Sequence, residues 1–501
     1  MLLILLALLA SRGSGLVRDA IVAYQFGTTA TTDSFIAAFS LPDLLSSLLL
    51  AGLVGVALIP VLVRASAEAP AGRWMVASAL LNLITLGAAA LALVGIVFAG
   101  PIVTVLTPGL AGVHALRAAQ LAQVMFPALV FFGAGSVLTA ILNAGNRFTV
   151  PNLAGLFVNL AMIVGAVAFG PRIGINALAW GFLVGSILQL AIQLPSARRL
   201  GFRYTLTLGL RDPRVRAVLA SLVPLTLILV FAYSRLLVER WLGSLIAPGT
   251  ISVLTFSNRL LVVAPTLLVA PVSTVLYPQL ARHVIDNQPV EVRGLISTGI
   301  RLILLGVLPA ALLLRFLSHP IVASVYQRGA FDVASSNATA YLLGLFALAL
   351  VPFSLNDFIT RSYFARGRQR FVLGAAFVGM LLTFVGDIVL TRLLGFPGLA
   401  WGATFGAWSL LAIFVVDHRM WRQRSLIVPT LKTVVASVAM ILVAIAVFQL
   451  TAPLHADLAR LAITLLAAGA VYVGALLLVA SEDARLLGGM ASRWALRALP
   501  Q

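Results

Sequence analysis

The chain has 501 residues, of which 61% are hydrophobic and 10% charged, with a net charge of +19 and no cysteine. A soluble protein carries about 25% charged residues, so this sequence cannot coat a soluble surface. The missing cysteine excludes disulfides, thiolate catalysis and cysteine-held metals.

Apolar runs long enough to cross a bilayer as helices recur from end to end. They do not alternate with period two, which excludes a barrel. The runs predict about fourteen spans, near 2–26, 33–62, 74–100, 118–143, 150–170, 176–196, 217–243, 250–281, 294–318, 336–363, 371–391, 396–417, 427–451 and 458–480. The stretch from Leu2 to Ala10 lacks the basic start of a signal peptide and runs on through Ser11-Arg12-Gly13 into more apolar sequence, so it reads as part of the first span.

Basic residues between the spans set the orientation. The loops after even-numbered spans, with the C-terminal tail, hold 20 Lys and Arg. The loops after odd-numbered spans hold five, counting Arg460 at the mouth of the last span. This places both termini in the cytoplasm. It also accounts for most of the positive charge without nucleic acid, and no nucleic-acid partner is expected. Nine basic residues remain inside the spans.

The chain echoes itself. Pro60 and Arg64 recur 218 residues later as Pro278 and Arg282, and Pro101-Ile102-Val103 recurs 219 later as Pro320-Ile321-Val322. Asn146-Arg147-Phe148 is echoed by Gln369-Arg370-Phe371, 223 later. Six spans separate the echoes, so orientation is kept, which predicts two parallel six-helix repeats. The expected fold is an all-α integral membrane protein: an N-lobe over 1–200, a C-lobe over 201–424, and 425–501 holding two extra helices and a cytoplasmic tail. Two-lobed parallel repeats favour a transporter with its site between the lobes.

A charge near the bilayer centre normally faces water or a partner. Arg240, Arg301, Arg315, Arg361 and Asp417 lie near span ends, where snorkelling suffices. Glu239 and Arg240 are assigned to the outer interface, and Asp19 to balancing Arg18. Arg12 and Arg18 in the first span and Arg259 well inside the eighth are harder to dismiss. Arg18 lies six residues after Arg12, about 9 Å along a helix. Arginine binds phosphate bidentately and stays charged, so these three predict an anionic ligand, a phosphate or pyrophosphate. The alternative is that each ties helices together through carbonyls or Asp33. Asp33 follows a threonine-rich stretch and is either a helix cap or an outer gate that pairs with a cavity arginine.

No catalytic set is present: no GxSxG, no Walker motif, and five scattered histidines without ligand spacing. The chain is not expected to be an enzyme, to hold a metal or to need a cofactor. No stretch could form a cytosolic ATPase, so transport would draw on an ion gradient, the membrane potential or coupled metabolism.

The segment Ser11-Arg12-Gly13-Ser14-Gly15-Leu16-Val17-Arg18-Asp19 resembles the MurJ/MviN family of bacterial lipid II flippases. The resemblance continues through Thr32-Asp33-Ser34-Phe35, Leu41-Pro42-Asp43-Leu44-Leu45, Asn146-Arg147-Phe148, Asn258-Arg259-Leu260 and Gln327-Arg328-Gly329-Ala330-Phe331. It implies a multidrug/oligosaccharidyl-lipid/polysaccharide flippase fold with a central hydrated cavity, working by alternating access in the bacterial cytoplasmic (inner) membrane. Lipid II would enter from the inner leaflet, its pyrophosphate and sugars crossing through the cavity while the polyprenyl tail stays in lipid. Carried over by position, Arg18 and Arg259 match pyrophosphate-binding arginines, Arg12 another family arginine, and Asp33 an acidic residue at the outer side. Membrane lipids and the cell-wall synthesis machinery are the implied partners, and a monomer is expected.

The sequence departs from the family where Ser46-Ser47 replaces an arginine pair and Ala51-Gly52 an acidic residue with glycine. Some relatives hold sodium through a carboxylate in the seventh span. Arg235 stands at the nearest match, and an ion pair of Arg235 with Asp387 is expected instead. These departures keep open a flippase for another polyprenyl-linked oligosaccharide. A drug exporter fits an arginine-lined cavity poorly.

Overall fold

A computed structural model describes residues 2–49, 58–59, 61–62, 72–418, 424–452 and 457–479, without the side chains of 2–10, Arg12, 223–232 and some positions at segment edges. All regular structure among these residues is helical. That follows from the solvent: lipid bonds no backbone group, so each span must close its own hydrogen bonds.

Two compact units emerge. The first comprises Met1–Ser252 with Gly329–Phe331, and the second Val253–Arg328 with Asp332–Gln501. In the first lie α1 (Leu2–Phe26), α2 (Ala30–Leu48), α3 (Gly72–Val97), α4 (Ala99–Leu106), α5 (Val113–Met125), α6 (Ala128–Ala144), α7 (Thr149–Val164), α8 (Gly170–Ile173), α9 (Asn176–Arg199) and α10 (Pro213–Ile246). A π-helical turn, Gly165–Phe169, joins α7 to α8. The second holds nearly all of α11 (Thr250–Ile285), then α12 (Pro289–Phe316), α13 (Ser318–Tyr326), α14 (Val333–Ala365), α15 (Gln369–Leu394), α16 (Gly398–His418), α17 (Arg424–Leu450) and α18 (Asp457–Val479).

Eleven helical segments among the described residues are long and apolar enough to cross a membrane. Each coincides with an expected span. The other three expected spans, 2–26, 33–62 and 217–243, include residues or side chains outside the description.

Local sequence marks the helix ends. Asp212 caps α10 by accepting from Arg214 N at 2.8 Å, and Pro213 follows as the first helical residue, where its missing N–H costs nothing. Asp332 caps α14 through Ser335 N at 2.8 Å. Both carboxyls are held below their usual range, Asp212 mainly by Arg214 and Asp332 mainly by the Ser335 hydroxyl. Prolines interrupt several helices, most densely α11, at Pro265, Pro271 and Pro278.

Inside the first unit α1 and α9 flank α7, and α3 and α9 flank α6. Leu58, Leu80, Ile84, Val137 and Ile141 form part of its core. The α7–α9 seam is closed by Gly181 and Gly185, where a Cβ would lie 2.8 Å from Ala161 O and 2.7 Å from Val158 Cα. The second unit packs α15 along α16 in the same manner. There a Cβ on Gly398 or Gly402 would lie 2.1 Å from Leu390 O or 2.2 Å from Asp387 Oδ1. Gly398 and Gly402 follow Gly181 and Gly185 by 217 residues. Small residues four apart let helix backbones touch, which is how helices associate where lipid removes the hydrophobic drive.

Candidate functional site

Arg18 lies in the C-terminal half of α1, with its side chain 11% exposed. Its Nε and Nη2 donate to Asp19 Oδ1 at 3.0 and 2.7 Å, and its Nη1 donates to Asn159 Oδ1 of α7 at 3.1 Å. Asn159 is itself fixed, donating to Ser14 Oγ at 3.0 Å and Ser11 O at 3.2 Å. The guanidinium carbon sits 5.9 Å from the centroid of the Phe39 ring. A guanidinium has five N–H donors. Oxygen acceptors among the described residues take three, and Met162 Sδ, a weak acceptor, lies 3.9 Å from Nη1. The group is therefore held in position while keeping donor capacity for an anion.

Asp33 is used differently. It is 1% exposed. Its Oδ2 accepts from Gly249 N at 2.6 Å, and its Oδ1 accepts from Ser252 N at 2.7 Å and from the Ser252 hydroxyl. The carboxylate thus caps the N-terminus of α11, where free N–H groups and the helix dipole favour negative charge. Its own helix, α2, is capped by Thr29, whose Oγ1 accepts from Thr32 N at 3.3 Å. Asp33 is thus not the cap of its own helix, and the helix whose N-terminus it bonds begins over 200 residues away.

The α1–α2 turn is gripped from two sides within the first unit. Gly249, at φ +90°, passes so close that a Cβ there would lie 2.4 Å from Thr28 O. On the other side Ala330 N donates to Tyr24 O at 2.7 Å.

Arg259 is half-buried in the N-terminal third of α11, in the second unit. Arg12 lies on α1, and its side chain is outside the description. Arg235 donates to Glu239, one turn along α10, and Glu239 is 1% exposed. Asp387 is fully buried in the second unit, at the α15–α16 seam against Gly402. No group of three or more metal-ligating side chains is found among the described residues.

Sequence reasoning did not find Asn159, Gly249, Ser252 or the Glu239 pairing. Asn159 had a signal, as an amide in an apolar run. Arg235-x3-Glu239 had one in its ion-pair spacing.

The model of the family described as lipid II flippase MurJ matches residues 22–468. The chain belongs to the MurJ lipid II flippase family. A lipid II flippase MurJ of Burkholderia cenocepacia is 28% identical over 80% of this chain and 79% of its own length. The protein named probable lipid II flippase MurJ of Bdellovibrio bacteriovorus is 28% identical over 93% of this chain and 91% of its own. Among solved structures, lipid II flippase MurJ in an inward closed conformation superposes with a TM-score of 0.83, at 23% identity over 95% of this chain and 98% of that one. An inward-facing MATE-family multidrug transporter follows with a TM-score of 0.68 at 15% identity, over 81% of this chain and 94% of that one. These structural likenesses establish the fold. The family's members are transporters, so the chain is a multi-pass membrane transporter. The family match begins at residue 22, after the Ser11–Asp19 motif, so any role for Arg18 rests on its own geometry.

Proposed function

We propose that this chain carries lipid II from the inner to the outer leaflet of the bacterial cytoplasmic membrane by alternating access. Arg18 and Arg259, with Arg12, bind the pyrophosphate. The observation that carries this reading is Arg18: a guanidinium buried in an apolar helix, oriented by Asp19 and Asn159, with donors left over. An arginine that only tied helices together would have its donors consumed. Family membership supplies the cargo. Asp33 acts at the outer end by fastening the α1–α2 turn to α11, and those bonds are the ones to exchange when that end opens. Both termini lie in the cytoplasm, supported by the 20-to-5 distribution of basic residues between even and odd loops.

The test is rescue of a bacterium depleted of its own lipid II flippase. Growth supports the reading, whereas failure of a well-expressed, membrane-inserted protein removes lipid II as cargo. Ser46-Ser47, in place of the family's arginine pair, favours a second reading, a flippase for another polyprenyl-linked oligosaccharide. The same experiment separates the two.

A further inference from the structure

Helix α14 is buried over most of its length, 72% of its most apolar window lying inside the protein. Near its C-terminal end two charged side chains break that rule. Asp357 and Arg361, one turn apart, are 49% and 52% exposed. Arg361 Nε donates to Asp357 Oδ2 at 3.1 Å, and Nη2 donates to Oδ1 at 3.2 Å.

The arginines of the following loop, Arg366, Arg368 and Arg370, mark the membrane interface by the loop-charge rule. Asp357 lies nine residues before Arg366, about 13 Å deeper along a helix. An exposed carboxylate at that depth cannot face acyl chains without a cost of several kcal/mol, so this face of α14 is wet. An exposed ion pair is worth about 0–1 kcal/mol, and it opens at little cost when a ligand offers both opposite charges.

Beside the pair, α11 and α14 form a small, shallow crevice lined by Leu276, Tyr277, Leu280, Phe358 and Arg361, with Ser273 behind them. Ser273 is 4% exposed, and its hydroxyl has no hydrogen-bond partner among the described residues. That hydroxyl is sealed behind the walls of the crevice, whose accessible surface is apolar and suits an apolar group.

Both members of this pair are about half exposed, so each can meet a ligand charge of its own, the carboxylate a cation and the guanidinium an anion. The arrangement calls for a ligand with a cation, an anion and small apolar groups between them. The peptide of lipid II has that chemistry: carboxylates, the ammonium of its diamino acid, and alanine methyls. We propose that Asp357 and Arg361 bind the peptide of the cargo, ammonium on Asp357 and carboxylate on Arg361, with a methyl in the crevice. This rests on the flippase reading and adds a second contact to it, separate from the pyrophosphate.

The experiment measures binding to the purified full chain of three probes: a polyprenyl-pyrophosphoryl disaccharide with its pentapeptide, the same lipid without peptide, and the pentapeptide lipid N-acetylated on its diamino acid. The native protein should prefer the peptide-bearing lipid about tenfold over the peptide-free one, equivalent to about 1.4 kcal/mol. Arg361→Gln should reduce that ratio toward one. Acetylation should weaken binding to the native protein and leave Asp357→Asn indifferent, a pattern that loss of folding cannot produce. Equal binding of the first two lipids by the native protein overturns the inference and leaves the flippase reading standing. So does a preference that survives both substitutions. Binding of neither lipid overturns both.

Discussion

Arg18 and Asp33 are two charges withdrawn from water in the same unit, and their surroundings treat them in opposite ways. Asp33 accepts three hydrogen bonds from the backbone and hydroxyl at the start of α11, and it is closed to solvent. Arg18 is oriented by Asp19 and Asn159 but not exhausted by them. A saturated charge is architecture, because its free energy is spent on partners that are already there. On the proposed function, the donors that Arg18 has left over are the ones that meet the cargo.

The sharpest way to break that distinction is Arg18→Ala. It should abolish rescue of flippase-depleted cells while the protein remains in the membrane at native level, and affinity for the pyrophosphate lipid should fall about ten- to a hundredfold, the usual effect of losing a charged hydrogen-bond partner. Retained rescue would place Arg18 on the architectural side with Asp33. Asp33→Ala should behave differently, since it leaves two N–H groups and a hydroxyl without an acceptor. A loss of about 3 kcal/mol is expected, read as a lower unfolding temperature in detergent, with the pyrophosphate lipid still bound by the folded fraction. Gly249→Ala tests the same fastening from the other side. An alanine Cβ meets Thr28 O in a backbone region unsuited to side chains, so about 1–3 kcal/mol should be lost. Ser252→Ala is the mildest probe. It removes one of the three donors and leaves the backbone bonds, so about 1 kcal/mol is expected. A Ser252→Ala effect as large as that of Asp33→Ala would show that the hydroxyl, not the helix end, holds the carboxylate.

The class of fold was legible because lipid leaves so few options. Composition and the length of apolar runs located the eleven segments now seen as membrane-capable helices. Arg18 was legible for the same reason: a charge inside an apolar run stands out whatever surrounds it. Its partner on α7 was not, since Asn159 lies 141 residues away and only packing brings it near. Asp33 shows the limit more clearly. Its own neighbourhood offered a cap, yet Thr29 took that place, and the carboxylate reached an N-terminus 219 residues on. The glycine seams could have been read. Gly181-x3-Gly185 and Gly398-x3-Gly402 are small-residue pairs in apolar helices at nearly the offset of the other internal echoes. Arg235 has a carboxylate nearer in sequence than Asp387, since Glu239 stands at the helical spacing that binds neighbours most simply.

Helix α11 holds Arg259 near its start and the crevice residues Ser273 and Tyr277 toward its end, with Pro265 and Pro271 between them. Each proline lacks an N–H, so the carbonyls of Leu261 and Leu267 have no donor one turn on. Farther along, Pro278 does the same to Thr274. A continuous helix must stretch hydrogen bonds to bend, whereas this one has missing rungs where it would need to stretch. α11 is therefore a jointed rod. Its two ends can tilt against each other with less elastic resistance than an unbroken helix would offer.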